Sequence, residues 1–244
     1  MVQVKTNIGI VAQPRVGKST LMNAILKQYS GNANGLLTRE IKEGNERVGF
    51  EMGSFGNTGE FMGTTIAHVN IQSPFKVSKY GIDQEAVRLL SLAEWKKGIV
   101  EGNLLYLDEI GQMQANDENF KDLVKKFFGS DNVCIATISA VYNNSLIEHA
   151  KSRKDTVVFG LTVENRSQML PFILGLIKKI KKAKMYALQP DLFTREGNLV
   201  ELQSDHGKRI INLSGRTCTC DFYGTFKEFR VCSHILAAEA VFGE

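Results

Sequence analysis

A short apolar run, Asn7 to Val11, passes directly into Ala12-Gln13-Pro14-Arg15-Val16-Gly17-Lys18-Ser19, and a helix-patterned stretch continues to about Tyr29. Such a juncture leaves the chain little choice. A strand must end, turn through a loop with glycine where backbone packs closely, and start a helix at once. Backbone N–H groups of a loop built this way point inward, and the helix start adds partial positive charge, so the result is a cradle for a polyanion. The spacing fits the [Ala/Gly]-x4-Gly-Lys-[Ser/Thr] phosphate loop, with Ala12 where glycine is commoner. Pro14, Arg15, Val16, Gly17, Lys18, Ser19 and Thr20 are therefore the candidate nucleotide contacts. Within that set Lys18 reaches the β- and γ-phosphates and the Ser19 hydroxyl ligates Mg²⁺.

A second apolar run, Leu104 to Leu107, ends in Asp108-Glu109 about 90 residues downstream of Lys18. A buried strand of this kind delivers Asp108 to the Mg²⁺ shell beside the loop. Glu109, one residue on, is placed to orient and deprotonate an attacking water, which makes Lys18 and Glu109 the candidate catalytic pair. Apolar-then-acidic strand ends are common; the pairing with the phosphate loop gives this one its meaning.

The intervening and following segments alternate between strand and helix. Leu36 to Met52 reads as two stretches split at Glu43-Gly44-Asn45, a hairpin turn. Phe55 to Thr64 is glycine-rich and reads as a loop. Asp83 caps a helix to Gly98. Asn116 to Phe128 and Asn144 to Ser152 read as helices, Val133 to Ile138 and Thr156 to Thr162 as strands. A last helix runs from Asn165 to about Lys182, with Pro171 as a kink or a late start. The pattern predicts an α/β fold with a mostly parallel sheet covered on both faces. Trp95, Phe127 and Phe128 are read as core, and Cys134 as a buried small hydrophobe.

After Lys184 the texture changes. Asn198 to Gln203 and Lys208 to Leu213 flank Asp205-His206-Gly207 as a hairpin, and a helix follows from Ser233 to about Phe242. Between them stand Cys218-Thr219-Cys220 and, eleven residues on, Cys232-Ser233-His234. Three thiolates and an imidazole are the donors a four-coordinate structural Zn²⁺ prefers, and this set leaves no open position for chemistry. About 60 residues hold too little core to stand alone, and zinc supplies roughly 10–16 kcal/mol of folding energy in such modules. The expected division is residues 1–184 as the nucleotide-binding domain and 185–244 as a small zinc module.

Four stretches resemble the thermophile-type nucleoside-triphosphatase family, whose vertebrate members are called cancer-related. They are Pro14 to Leu21, Gly35 to Gly44 continuing to Arg47-Val-Gly-Phe50, Leu107 to Met113, and Thr162 to Arg166. Lys76 to Ile82 matches more loosely, with Ser78 in place of glycine, and His68 stands where arginine is usual. The resemblance spans about residues 4–182. It implies a RecA-like phosphate-loop fold and Mg²⁺-dependent hydrolysis of nucleoside triphosphates with loose base selectivity. Cys-x-Cys-x11-Cys-x-His followed by Ile-Leu-Ala-Ala resembles the SWIM zinc finger over residues 195–243, which implies a small ββα module, in keeping with the preceding hairpin, and a DNA, RNA or protein partner.

Composition agrees with a soluble, cytoplasmic protein: 43% hydrophobic and 23% charged residues, no run of roughly 18 apolar residues for a membrane span, and no signal peptide pattern at Met1 to Ile10. Net charge is +4, and residues 178–244 carry 11 basic against 8 acidic side chains. Arg195, Lys208, Arg209, Arg216, Lys227 and Arg230, with Phe222, Tyr223, Phe226 and Phe229, read equally as a nucleic-acid surface or as basic residues around a miniature aromatic core. Arg39, Lys42 and Arg47 are read as a solvated hairpin face ahead of a γ-phosphate contact. Asn165-Arg166 is either a base-contacting loop or a helix cap. The expected function is a nucleoside triphosphatase, with ATP or GTP as substrate. Its alternatives are a nucleotide-switched adaptor and, ranked lower, a nucleoside or nucleotide kinase.

Overall fold

The computed structural model describes residues 3–55 and 59–243. Their packing forms two units, one of residues 7–167 and one joining residues 3–6 to residues 168–243.

In the first unit β1 (Asn7–Ala12) runs into the phosphate loop, and α1 (Lys18–Gln28) leaves it. Next come β2 (Ala33–Glu43) and β3 (Glu46–Phe55), an antiparallel pair in which Glu43 faces Glu46, leaving Gly44-Asn45 as the turn. Gly44 has φ +59°, the left-handed setting such two-residue turns require. Then follow β4 (Phe61–His68), the short β5 (Lys76–Val77) and β6 (Tyr80–Ile82), α2 (Gln84–Lys96), β7 (Leu104–Ile110), α3 (Glu118–Phe128), β8 (Cys134–Ser139), α4 (Ser145–Ser152) and β9 (Thr156–Gly160).

Nine strands form one sheet in the order β5-β6-β4-β3-β2-β7-β8-β1-β9. From β2 to β9 all neighbours are parallel. From β5 to β2 they are antiparallel. The sheet is thus mixed: the expected parallel block carries an antiparallel flank. The glycine-rich segment read as a loop is where that flank was missed. Residues 61–68 are β4, whose Gly63 faces Gly53 of β3, where a Cβ on Gly53 would lie 2.0 Å from the Met62 carbonyl oxygen and 2.5 Å from the Gly63 Cα. Residues 56–58 of that segment lie outside the described residues.

The parallel strands read as continuous apolar runs because both faces are covered. Helix α1 buries Leu21, Met22 and Ile25 and packs on β2, β7 and β8. A larger cluster joins Leu36, Leu105, Leu107 and Ile138 of the sheet to Phe120, Leu123 and Phe127 of α3. Trp95 departs from expectation: its side chain is 43% exposed, with the Lys126 ammonium 4.3 Å from the ring centroid. Phe127, Phe128 and Cys134 are buried as expected.

In the second unit α5 (Arg166–Ala187) buries Phe172, Ile173, Leu176, Ile177, Ile180 and Ala183, a helical stripe. Pro171 sits in its second turn, so the helix forgoes one backbone hydrogen bond instead of starting late. Strands β10 (Phe193–Glu196), β11 (Leu199–Ser204), β12 (Gly207–Asn212) and β13 (Thr217–Cys218) form an antiparallel sheet in that order. Helices α6 (Asp221–Thr225) and α7 (Ser233–Phe242) complete it. The expected hairpin and last helix are both present, in a module with more strands than ββα requires.

Composition changes near residue 184, whereas packing changes at 167/168. The reason is Phe172. Its ring stacks on Phe229 at 3.9 Å between centroids and meets Phe222 and Phe226 at 6.1 and 5.5 Å. Phe222, Phe226 and Phe229 are thus half-buried around a ring of α5, and α5 packs with them. Residues 3–6 join the same unit through Lys5, whose ammonium lies 2.8 Å from buried Glu239, itself 3.2 Å from Arg216.

Gly35 faces Tyr106 across β2 and β7 at φ +156°, and a Cβ there would lie 1.8 Å from the Tyr106 carbonyl oxygen. Backbone cannot yield as a side-chain tip does. Gly35→Ala should lose about 3 kcal/mol in chemical denaturation, against at most a few tenths for Gly160→Ala, which meets nothing.

Candidate functional site

The phosphate loop takes its shape from two residues in the left-handed region, Arg15 at φ +68° and Gly17 at φ +107°. Alternation of this kind turns successive N–H groups to one side and forms an anion-binding nest. The contrast among the helices is informative. Helices α2, α3 and α4 start on Asp83, Asp117 and Asn144, each side chain accepting a backbone N–H of the first turn at 2.8–2.9 Å. Helix α1 starts on Gly17, has no side-chain cap and has no acidic residue in its first turn. Its leading N–H groups are left for an outside acceptor, and its dipole is not offset by any carboxylate of that turn.

Lys18 folds back over the loop, its ammonium 3.1 Å from the Ala12 carbonyl oxygen and 3.3 Å from Glu109. The Lys18 side chain is 10% exposed and that of Glu109 33%. This pair brings together the two residues expected to be catalytic. Their ion pair spans a partly wetted gap and contributes little stability, about 0–1 kcal/mol.

Asp108 is placed differently. Its neighbour in the register on β2 is Leu37, and it is only 3% exposed. The Thr137 hydroxyl donates to its Oδ1, and Oδ2 is buried with no hydrogen-bond partner. Burial pushes the carboxyl up to about 6, helped by the charge of Glu109 and opposed by hydrogen bonds from Thr137 and Ser19 and by the charge of Lys18. An ionised oxygen with no donor in the protein interior calls for a cation. Ser19, which faces the same carboxylate, supplies the second oxygen. These two residues fit the Mg²⁺ shell expected from the sequence.

Thr137 was not singled out from sequence. Its only signal is a hydroxyl inside the apolar run of β8, meaningful once β8 is known to lie between β7 and β1. Gln114 was also missed: it is buried and donates to Thr38 at 3.2 Å, tying the loop after β7 to β2. The arginines of the hairpin are otherwise engaged. Arg47 bonds Glu40 at 2.7 Å and the Tyr80 hydroxyl at 3.1 Å, and Arg39 lies 3.7 Å over the Phe61 ring. Lys42 pairs with Glu40. Asn165 closes a turn, accepting from Thr162 N and donating to the Gly160 carbonyl.

The second cluster lies in the other unit. Cys218 is on β13, Cys220 and Cys232 are the residues before α6 and α7, and His234 is in the first turn of α7. All four are buried, the thiols are free, and the donor atoms lie within 4.8 Å of one another. Metal–sulfur bonds of about 2.3 Å in a tetrahedron need sulfurs roughly 3.8 Å apart, so little adjustment separates this arrangement from a closed site. Neither Cys220 nor Cys232 caps its helix through sulfur, which leaves both free for a metal. The imidazole Nδ1 is 3.6 Å from Cys218 Sγ, so this nitrogen faces the cluster. Hydrogen bonding from Cys218 and Cys232 lowers the pKa of Cys220, whereas hydrogen bonding with Cys218 and Cys220 raises that of Cys232. A bound cation removes the conflict by drawing off all three protons.

The chain matches the sequence model of a family described as NTPase over residues 7–174. The nucleoside-triphosphatase THEP1 of Thermotoga maritima is 32% identical over 170 residues, which are 69% of this chain and 94% of that one. The human cancer-related nucleoside-triphosphatase is 26% identical over 192 residues, 72% of this chain and 98% of its own length. The crystal structure of THEP1 from Aquifex aeolicus superposes with a TM-score of 0.63 at 27% identity, covering 70% of this chain and 99% of that chain. The Cys/His cluster lies beyond the matched family region.

Protein prepared without chelator should carry one divalent ion per chain by elemental analysis. Cys232→Ala should carry none, and its 190–243 region should become protease-sensitive. A metal-free chain with that region still resistant would refute the site.

Proposed function

The chain belongs to the NTPase family, and we propose on that basis that it hydrolyses nucleoside triphosphates, ATP or GTP among them, to the diphosphate and phosphate with Mg²⁺. The observation that carries the reading is an uncapped phosphate-loop helix beside a buried carboxylate whose Oδ2 has no partner. The loop from Pro14 to Thr20 wraps the phosphates, its N–H groups from Arg15 onward donating to them, and Lys18 exchanges Glu109 for the β- and γ-phosphate oxygens. That exchange frees Glu109, which its partial exposure leaves in touch with solvent, to take a proton from the attacking water. The water oxygen bonds to the γ-phosphorus as the bridge to the β-phosphate breaks. Ser19 and Asp108 would hold Mg²⁺, which neutralises charge building on the phosphate oxygens.

Residues 1–184 are read as this catalytic region and 185–244 as a SWIM-type zinc finger held by Cys218, Cys220, Cys232 and His234. Zinc there would be structural, since four protein donors leave no position for water. The finger is proposed to engage DNA, RNA or a protein partner in the cytoplasm. In support, residues 1–6 with 168–244 carry 12 basic and 8 acidic side chains, so the whole net charge of +4 resides there. Against the kinase alternative, Arg47 and Arg153, two arginines a lid would draw on, are bound to Glu40 and Asp155.

Lys18→Ala should abolish binding of a fluorescent nucleotide. Glu109→Gln should bind it, with kcat lowered about 10²–10⁴-fold; turnover at the wild-type rate would remove Glu109 from the water-activating role. DNA or RNA is expected to raise turnover, with binding that weakens steeply in salt. Salt-steep binding without any effect on turnover would favour the adaptor reading, and no binding at all would point to a protein partner.

A further inference from the structure

We infer that Thr137 is a positioning residue for Asp108: its hydroxyl fixes one carboxylate oxygen so that the other is presented to the cation. The inference rests on the reading of Asp108 and Ser19 as Mg²⁺ ligands.

Strand β8 is buried throughout, and Thr137 is fully enclosed. A valine would fill the same volume in such a strand without the penalty of burying a hydroxyl, about 1–3 kcal/mol when unsatisfied. The hydroxyl is satisfied by Asp108 Oδ1. Parallel pairing on both sides fixes the Thr137 backbone: β1 pairs with β8 through Ile10 and Thr137, and β7 pairs with β8 through Leu107 and Ala136. The donor is thus anchored between the strand that delivers the phosphate loop and the strand that delivers the acid.

A carboxylate free to spin about its last torsion presents either oxygen to a cation and must be ordered on binding. With Oδ1 held, Oδ2 alone remains, already desolvated and without a hydrogen bond. Ser19 lies on the same carboxylate. Thr137 touches neither phosphate nor water in this scheme; it acts through Asp108, as outer partners of metal ligands do.

The test is the magnesium concentration that half-saturates binding of a fluorescent, non-hydrolysable ATP analogue, read without turnover. Thr137→Val should raise it about 10–100-fold, with Thr137→Ser close to wild type. Asp108→Asn serves as the reference. A Thr137→Val half-saturation equal to wild type, while Asp108→Asn is shifted, overturns the positioning role and leaves the ligand assignment intact. Magnesium-independent binding in wild type and in Asp108→Asn overturns both. If Thr137→Val does not fold, Thr137→Ala asks the same question with the same outcomes.

Discussion

A carboxylate sealed inside a parallel sheet is tolerable only if its charge is met, and Asp108 is met on one side alone. Thr137 answers Oδ1, whereas Oδ2 has no hydrogen-bond partner among the described residues. Much else in the unit of residues 7–167 can be understood from that imbalance. The sheet order sets β8 between β7 and β1, so the acid and the phosphate loop stand one strand apart. The helix that follows the loop begins without a cap of its own, and Lys18 bridges to Glu109. Positive potential from backbone and lysine is thus gathered where negative charge already waits, with a gap that a metal–triphosphate complex fits in both charge and oxygen donors.

What could be read from the sequence was what is local. The loop from Ala12 to Ser19, the acid pair at 108–109 and the Cys/His spacing at 218–234 each depend on neighbours a few residues apart, and the structure brings Lys18 to Glu109 and gathers the four Cys/His side chains. The cap at Asp83 and the turn at Gly44-Asn45 are legible for the same reason. Thr137 was not, because a hydroxyl in a strand means nothing until register shows which side chain it meets. Strand β4 is hidden by the glycines around its start, which announce a loop in sequence, yet Gly63 permits close backbone contact with Gly53 of β3. Trp95 was assigned to the core by size, but Lys126 covers its ring at the surface.

The unit of residues 3–6 and 168–243 solves the small-core problem twice. Cys218, Cys220, Cys232 and His234 gather donors at one place, while Phe172 collects Phe222, Phe226 and Phe229 around a ring from α5. From spacing alone those aromatics read equally as a nucleic-acid surface or as a miniature core. Their stacking on a helix 50 residues upstream, in a segment that the family match covers in part, could not be inferred from the motif.

Lys5 gives this arrangement a topological twist. Strand β1 begins at Asn7, two residues after an ammonium that is bound to Glu239 on α7. Residues from both extremities of the described chain thereby share one compact body. Trimming the tail alone would strand a charged lysine and the buried Val4 at the root of the strand that feeds the phosphate cradle.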